Sequence, residues 1–291
     1  MYVVLVICPD MLLYAVHDGG LDGYADSDFH DTYNENAGMK EMKLNGHDVL
    51  IYDSIDSLPI VRFHQYNRML LVDAGIGSDI TDFDGHVERV VRYIRKGDNE
   101  NAAKELDNLR QNVFMIMSGQ SVHDLSFACL VQSIDGEVVE DISPEGLEKV
   151  LHILGGTTRK ELAENFQSVK KKIDNDLGLY FPSLFDDVST REYYDIMKRM
   201  TVATLSMVTD DDMEKDRQAE ELRDRLVLFQ KPKVFTGHDG VEVVHDKEFE
   251  TMCLVITKET GREAKRMTVL EYYNAYEYLR EKARKTQNKA R

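Results

Sequence analysis

Residues 72–86 read VDAGIGSDITDFDGH and combine a glycine pair with four aspartates and a histidine. Glycine is common where a helix ends, because the residue after the last turn often takes the left-handed conformation, and Gly75 and Gly77 follow a helical pattern. Ser78 or Asp79 then stands where the next helix needs a side-chain cap. The stretch therefore predicts a junction between two helices and, with its flanks, a helical body.

The same stretch allows a second interpretation as a metal site. Asp79, Asp82 and His86 follow the spacing i, i+3 and i+7, which places them on one flank of a helix and makes them candidate metal ligands. Such a set arises readily by chance in so acidic a chain. Asp82 also falls in the first helical turn, where a negative charge meets the helix dipole. We therefore favour capping, and predict no metal and no catalytic residue here.

Two apolar stripes at helical spacing follow this junction. The first comprises Ile80, Phe83, Val87, Val90, Val91 and Ile94, and the second comprises Ala102, Leu106, Leu109, Val113 and Ile116. Further helix starts are indicated by capping residues at Ser121, Ser143, Thr158 and Ser189, and by the aspartates at 210–212. The pattern predicts a mainly α-helical protein whose body occupies residues 42–230.

Strands are predicted at both ends of this body. Asn45-Gly46 separates two short apolar runs within residues 42–52, and this dipeptide favours a β-hairpin because both turn positions need positive φ. Residues 231–291 are predicted as a C-terminal α+β segment, with short strands at Val234-Phe235 and Val241–Val244 before two helices, Lys247–Thr260 and a basic one from Thr268 to about 285. Residues 1–41 are predicted as a buried strand followed by an acidic arm.

The composition limits the classes of function. The net charge of −17 repels nucleic acid and anionic membranes, so contact with either needs a local basic patch. Cys8, Cys129 and Cys253 are widely spaced and indicate neither a zinc ribbon nor a disulfide framework, which favours a reducing compartment. The apolar segment within residues 2–16 is too short to span a bilayer, and we expect a cytoplasmic protein.

Motifs for catalysis are absent from the sequence. It contains no G-x-G-x-x-G, G-x-S-x-G or H-E-x-x-H pattern, and the turn at Gly155-Gly156 lacks Walker A spacing. Cys129 lies in an apolar run, where packing is the usual role. We therefore expect no enzyme and no cofactor. Two alternatives stay open: a metal-assisted hydrolase using Asp79, Asp82 and His86, and an acidic protein that mimics DNA.

The C-terminal helix combines aromatic and basic residues. Tyr272, Tyr273, Tyr276 and Leu279 form one face, which we interpret as core-facing rather than as a platform for stacking nucleic-acid bases. The cations that follow are candidates for contact with an acidic patch of a neighbouring copy or another partner: Arg280, Lys282, Arg284 and Lys285.

Several segments resemble a group of proteins from tailed bacteriophages that infect gut Bacteroides-type hosts, crAss-like phages included. The resemblance spans roughly residues 42–291 and is carried by residues 58–68 (LPIVRFHQYNR), 73–84, 109–112 (LRQN), 127–136, 231–235 (KPKVF) and 267–275 (MTVLEYYNA). It implies a non-enzymatic virion structural protein, such as a neck or tail ring component, or a tail assembly factor. Its partners would be other phage structural proteins or copies of itself, met in the host cytoplasm during assembly and, for a structural component, in the virion.

Overall fold

A computed structural model describes residues 38–119, 121–155, 159–184, 188–210, 213–229 and 231–289. Within these residues the protein is mainly α-helical, as predicted. The predicted strand and acidic arm of residues 1–37, Cys8 and the cap at Thr158 lie outside the described residues.

Ten helices and four strands make up the described chain. The strands are β1 Met39–Leu44, β2 His47–Tyr52, β3 Val131–Ile134 and β4 Glu137–Val138. The helices are α1 Ile60–Gly75, α2 Ile80–Arg95, α3 Asn99–Ser118, α4 Val122–Leu130, α5 Pro144–Ile153, α6 Arg159–Tyr180, α7 Val188–Asp210, α8 Met213–Phe229, α9 Val241–Thr260 and α10 Val269–Lys289.

The predicted hairpin is confirmed and belongs to a larger antiparallel sheet of order β1-β2-β3-β4. Asn45 and Gly46 both have positive φ, at 49° and 85°, and Leu44 pairs with His47 across the turn. Strands β3 and β4 were not predicted, although Asp135-Gly136 forms a second turn with positive φ at both residues. An apolar run that continues straight from α4 into β3 hides the change of conformation at Val131.

A buried arginine ties α1 to the sheet. The Arg62 guanidinium donates hydrogen bonds to the backbone carbonyls of Cys129 and Val131, at 3.1 and 2.9 Å, and to that of Val139. Burial lowers the pKa of Arg62. The carbonyls of Cys129 and Val131 lie at and just beyond the C-terminal end of α4, where helix geometry leaves acceptors unsatisfied, and that of Val139 directly follows β4. Arg62 therefore stabilises the transition from helix to strand.

Several helix starts are built from the capping residues that the sequence indicates. Asp79 and Asp82 form a reciprocal capping box at α2, and the Ser143 side chain accepts the Gly146 N–H at α5. At α10, Thr268 Oγ1 accepts the Glu271 N–H and the Glu271 carboxylate accepts the Thr268 N–H. The junction interpretation of residues 72–86 is confirmed.

The prediction of strands in the C-terminal segment is wrong. Residues 231–289 are described throughout and contain helices but no strand, because α9 already begins at Val241. Three valines in residues 241–244 indicate a strand, yet a β-branched residue costs a helix only about 0.5 kcal/mol relative to alanine. Burial of His245, Cys253 and Ile256 along α9 outweighs that local preference.

The described residues form two compact units, each assembled from separate stretches of sequence. The sheet unit contains residues 38–71, 122–182 and 244–289, and the helical unit contains residues 72–119, 121 and 183–243, less the undescribed positions. These units divide the chain differently from the three predicted segments 1–41, 42–230 and 231–291. An aromatic cluster lies in the core of the sheet unit, where Phe166 meets Tyr66, His123 and Phe127 with edge-on rings.

Candidate functional site

The two aspartates proposed as metal ligands are occupied by backbone contacts. The Asp79 carboxylate accepts the N–H groups of Thr81 and Asp82 at 2.8 and 3.0 Å. The Asp82 carboxylate accepts those of Ser78 and Asp79 at 2.8 and 3.1 Å, and burial raises the pKa of Asp82. Both carboxylates therefore stabilise the start of α2.

His86, the third proposed ligand, is turned into the helical unit and is 1% exposed. Its Nδ1 lies 2.6 Å from Glu105 Oε1, and its Nε2 donates to the carbonyl of Ile76 at 2.8 Å. Arg89 Nε donates to the same Glu105 oxygen at 2.6 Å. The structure thus does not bring His86 together with Asp79 and Asp82.

The interior of the α2–α3 hairpin is polar beyond this network. Four residues of α3 are buried, and only Ala102 among them is apolar. The other three are Glu105, Asn108 and Asn112. The Nδ2 of Asn112 donates to the Ile76 carbonyl and that of Asn108 to the Lys233 carbonyl, both at 3.0 Å. Polar side chains therefore occupy positions that apolar residues fill in most helix pairs.

Much of the two apolar stripes is exposed instead, although Val90 and Ala102 are buried. We define the apolar face as Ile80, Val87, Val91 and Ile94 of α2 with Leu106, Val113, Ile116 and Met117 of α3, each of which is 36–82% exposed.

Helix geometry places both stripes on one side of the hairpin. The His86–Glu105 contact marks where the two helices face each other. At about 100° per residue, the stripe of α2 is centred roughly 100° around the helix axis from His86, and the stripe of α3 roughly 100° from Glu105. Both rotations are in the direction of increasing residue number. Because residues 96–98 join α2 and α3 as an antiparallel pair, equal rotations bring the stripes to the same side. The two stripes together therefore form the apolar face on one side of the hairpin.

The cations proposed for partner contacts lie on the outer surface of α10 and are exposed. Lys282 Nζ donates to the Glu259 carboxylate at 2.8 Å, and Arg280 and Lys285 form ion pairs with Glu277 and Glu281 within the same helix. Each of these three cations thus already has a carboxylate in its own chain. The proposed role of Arg284 and its neighbours in binding a partner stays a prediction.

The aromatic residues of α10 face inward, as predicted. Tyr272, Tyr276 and Leu279 are 4–7% exposed, and the Tyr273 ring lies 5.5 Å from that of Phe181. Cys129 is fully buried, and desolvation raises its thiol pKa to about 12, so it packs and does not act as a nucleophile at neutral pH.

A different cluster, not recognised in the sequence, brings together His64 of α1 with His245 and Asp246 of α9. One possible ligand atom from each residue lies within 4.8 Å of the others, which makes this the one such group of three among the described residues. His64 Nε2 lies 2.9 Å from Asp246 Oδ1, and His245 Nδ1 lies 3.9 Å from the same oxygen. His64 is separated from the other two by about 180 residues, so spacing gives no signal for it.

The His64 ring is stacked against two other rings. It lies parallel to the rings of both His245 and Phe249, with centroids 4.2 and 4.0 Å away, and therefore sits between them. Burial lowers the pKa of His64, partly offset by its hydrogen bond to Asp246. Burial thus favours the neutral form of this imidazole, which is the form that binds metals.

Comparison with known proteins adds no relative. No protein-family profile, curated protein or solved structure matches the chain significantly. The class defined by the fold is a mainly α-helical protein with a small antiparallel sheet. In the described part of the chain, every helix is too short or too polar to cross a membrane.

Proposed function

We propose that this chain is a non-enzymatic structural or assembly protein of a tailed bacteriophage, which acts through protein–protein contacts at the apolar face. The observation that carries the proposal is the inverted α2–α3 hairpin, polar inside and apolar outside. Exposed apolar surface of this extent is unfavourable in water and is typical of surfaces that bind another protein. The resemblance to phage proteins supports a neck or tail ring component or a tail assembly factor.

The size of the face suits a stable interface. From their exposed fractions, its eight side chains present roughly 700 Å², close to the ~800 Å² per partner of a standard protein–protein interface. If the apolar residues are kept for an interface, other contacts must hold the two helices together, and the buried polar network supplies them. That network fixes the hairpin through hydrogen bonds and leaves its apolar residues available for a partner.

Charge favours a second copy of this chain as the occupant. Residues 80–118 contain seven acidic and six basic residues, so the hairpin is nearly neutral although the whole chain carries −17. Two copies that meet here avoid most of the repulsion between their acidic surfaces. A strongly basic partner would instead find little opposite charge at this face.

The test is the molar mass in solution, measured by light scattering over a range of concentration and salt. We expect a dimer or a larger closed oligomer that persists at high salt, because burial of apolar surface is not screened. The double variant Val87→Glu/Leu106→Glu, with one charge on each helix, is expected to be monomeric. The matched control Leu179→Glu/Leu254→Glu alters two leucines of the sheet unit that are 78% and 71% exposed, and should keep the oligomer.

Two outcomes would contradict contact between copies at this face: a monomeric wild type at every concentration, or an oligomer unchanged by the double variant. An oligomer that dissociates at high salt would indicate that the copies meet through charged residues instead, namely the cations Arg280, Lys282, Arg284 and Lys285. Mass spectrometry of purified virions separates a structural component, which is retained in particles, from an assembly factor, which is not.

The metal-assisted hydrolase alternative gains no support from the geometry of Asp79, Asp82 and His86, whose side chains stabilise the α2 start and the hairpin interior. The DNA-mimic alternative needs regularly spaced carboxylates along one face, and the α2–α3 surface described above is apolar.

A further inference from the structure

We propose that His64, His245 and Asp246 form a binding site for a transition-metal ion of the Zn²⁺ class. Two imidazoles and one carboxylate make a donor set typical of Zn²⁺ sites with an open coordination position. The site lies in the sheet unit, so this inference is independent of the apolar face and of the proposed function.

The chain contains internal comparisons for this cluster. His47 and Asp135 lie 2.6 Å apart, and the exposed pair His238 and Asp239 lies 2.9 Å apart. A histidine–aspartate pair is therefore common in this protein. Only around Asp246 do the described residues bring in a second histidine.

The surroundings of Asp246 suit a metal ligand. Arg68 forms an ion pair with Oδ2 at 3.8 Å, whereas both histidines approach Oδ1, so the cation leaves Oδ1 to the ion. Metal-binding carboxylates commonly have such an outer partner. Asp246 is 42% exposed whereas the side chains of His64 and His245 are 13% and 5% exposed, so the ion reaches the site from the Asp246 side.

Metal binding requires a defined local movement. A metal lies in the plane of each imidazole that binds it, and the parallel rings of His64 and His245 do not share a plane. One ring must turn while the donor atoms contract to the ~3.3 Å spacing of a tetrahedral Zn²⁺ site. His64 is the ring to turn, because its Nε2 exchanges the hydrogen bond to Asp246 for the metal. The stacking that it loses is weak beside metal–imidazole bonding.

The experiment titrates the untagged full-length protein with ZnCl₂, using calorimetry for stoichiometry and melting temperature as a second measurement. We expect one Zn²⁺ per chain and a raised melting temperature, and no response to MgCl₂, which prefers oxygen ligands. Asp246→Asn, which keeps the shape of the side chain, should weaken Zn²⁺ binding by about tenfold or more, as should His245→Ala. The control His238→Ala should bind as the wild type does.

Circular dichroism spectra separate a failed fold from a lost site, and Asp246→Asn is the decisive variant because Asp246 lies partly at the surface. Absence of stoichiometric Zn²⁺ binding by the wild type overturns the proposal. Equal binding by the wild type and the folded Asp246→Asn variant also overturns it, because the ion would then occupy another group.

Discussion

The α2–α3 hairpin and the terminal helix α10 use similar amphipathic patterns in opposite ways. In α10, Tyr276 and Leu279 are buried while the charged residues face outward. In the hairpin, Glu105 and Asn112 are buried, whereas Val91 and most of its stripe are exposed. An apolar stripe therefore predicts a helix and one of its faces, but not whether that face meets the protein's own core or a partner.

The largest expected effect tests this contrast with the same substitution in both helices. Leu279→Ala removes a side chain that is 7% exposed, and should lower the free energy of unfolding by about 2–4 kcal/mol because it leaves a cavity. Leu106→Ala changes a residue that is 45% exposed, and should cost less than about 1 kcal/mol in the monomer.

Urea denaturation at low protein concentration, where copies are dissociated, measures both values. Equal losses for the two variants would contradict this difference between the helices, because Leu106 would then contribute to the folded chain as much as Leu279 does. If Leu106→Ala lowers the stability more at high protein concentration than at low, the side chain contributes to association between copies and not to the folded monomer.

The next effect concerns the polar interior of the hairpin. Glu105→Gln removes a charge that contacts both His86 and Arg89 and is only 3% exposed, so we expect a loss of about 2–4 kcal/mol. The matched control on the same helix is Glu100→Gln, whose ion pair with Lys104 is exposed and should contribute less than about 0.5 kcal/mol. Similar free energies of unfolding for the two variants would mean that the Glu105 charge does not stabilise the hairpin.

The fold was predictable where local chemistry decides it. The turn at Asn45-Gly46 and the caps at Asp79 and Ser143 depend on neighbouring residues only, so the sequence indicates them directly. Strand β3 and the start of α9 at Val241 depend on tertiary packing, which outweighs weak local preferences.

The candidate sites show the same limit. Asp79, Asp82 and His86 have plausible ligand spacing, but the fold gives each a structural partner. The cluster around Asp246 depends on His64, which is brought near by the packing of α1 against α9 in the sheet unit. A pair of adjacent residues, His245-Asp246, was the only local signal, and such pairs occur elsewhere in this chain.

A last comparison concerns a half-buried carboxyl group in the sheet unit, that of Asp174. Whereas Glu105 of the hairpin forms an ion pair with Arg89, desolvation raises the pKa of Asp174 in α6 to about 6, with Lys170 partly opposing it. The pKa of this carboxyl is thus higher in the folded than in the unfolded chain. Between about pH 4 and pH 6 the folded state keeps a proton that the unfolded state has lost, so this group's contribution makes stability fall as pH rises.

Asp174→Asn should remove that dependence. At pH 7 the variant is expected to be more stable than the wild type by up to about 3 kcal/mol, and at pH 4 the difference should nearly vanish. Denaturation at both pH values measures it, with the exposed Asp239→Asn as the control that changes neither. A variant less stable than the wild type at pH 7 would show that the Asp174 charge is held by favourable contacts, as Glu105 is. The two regions would then bury their carboxylates in the same way.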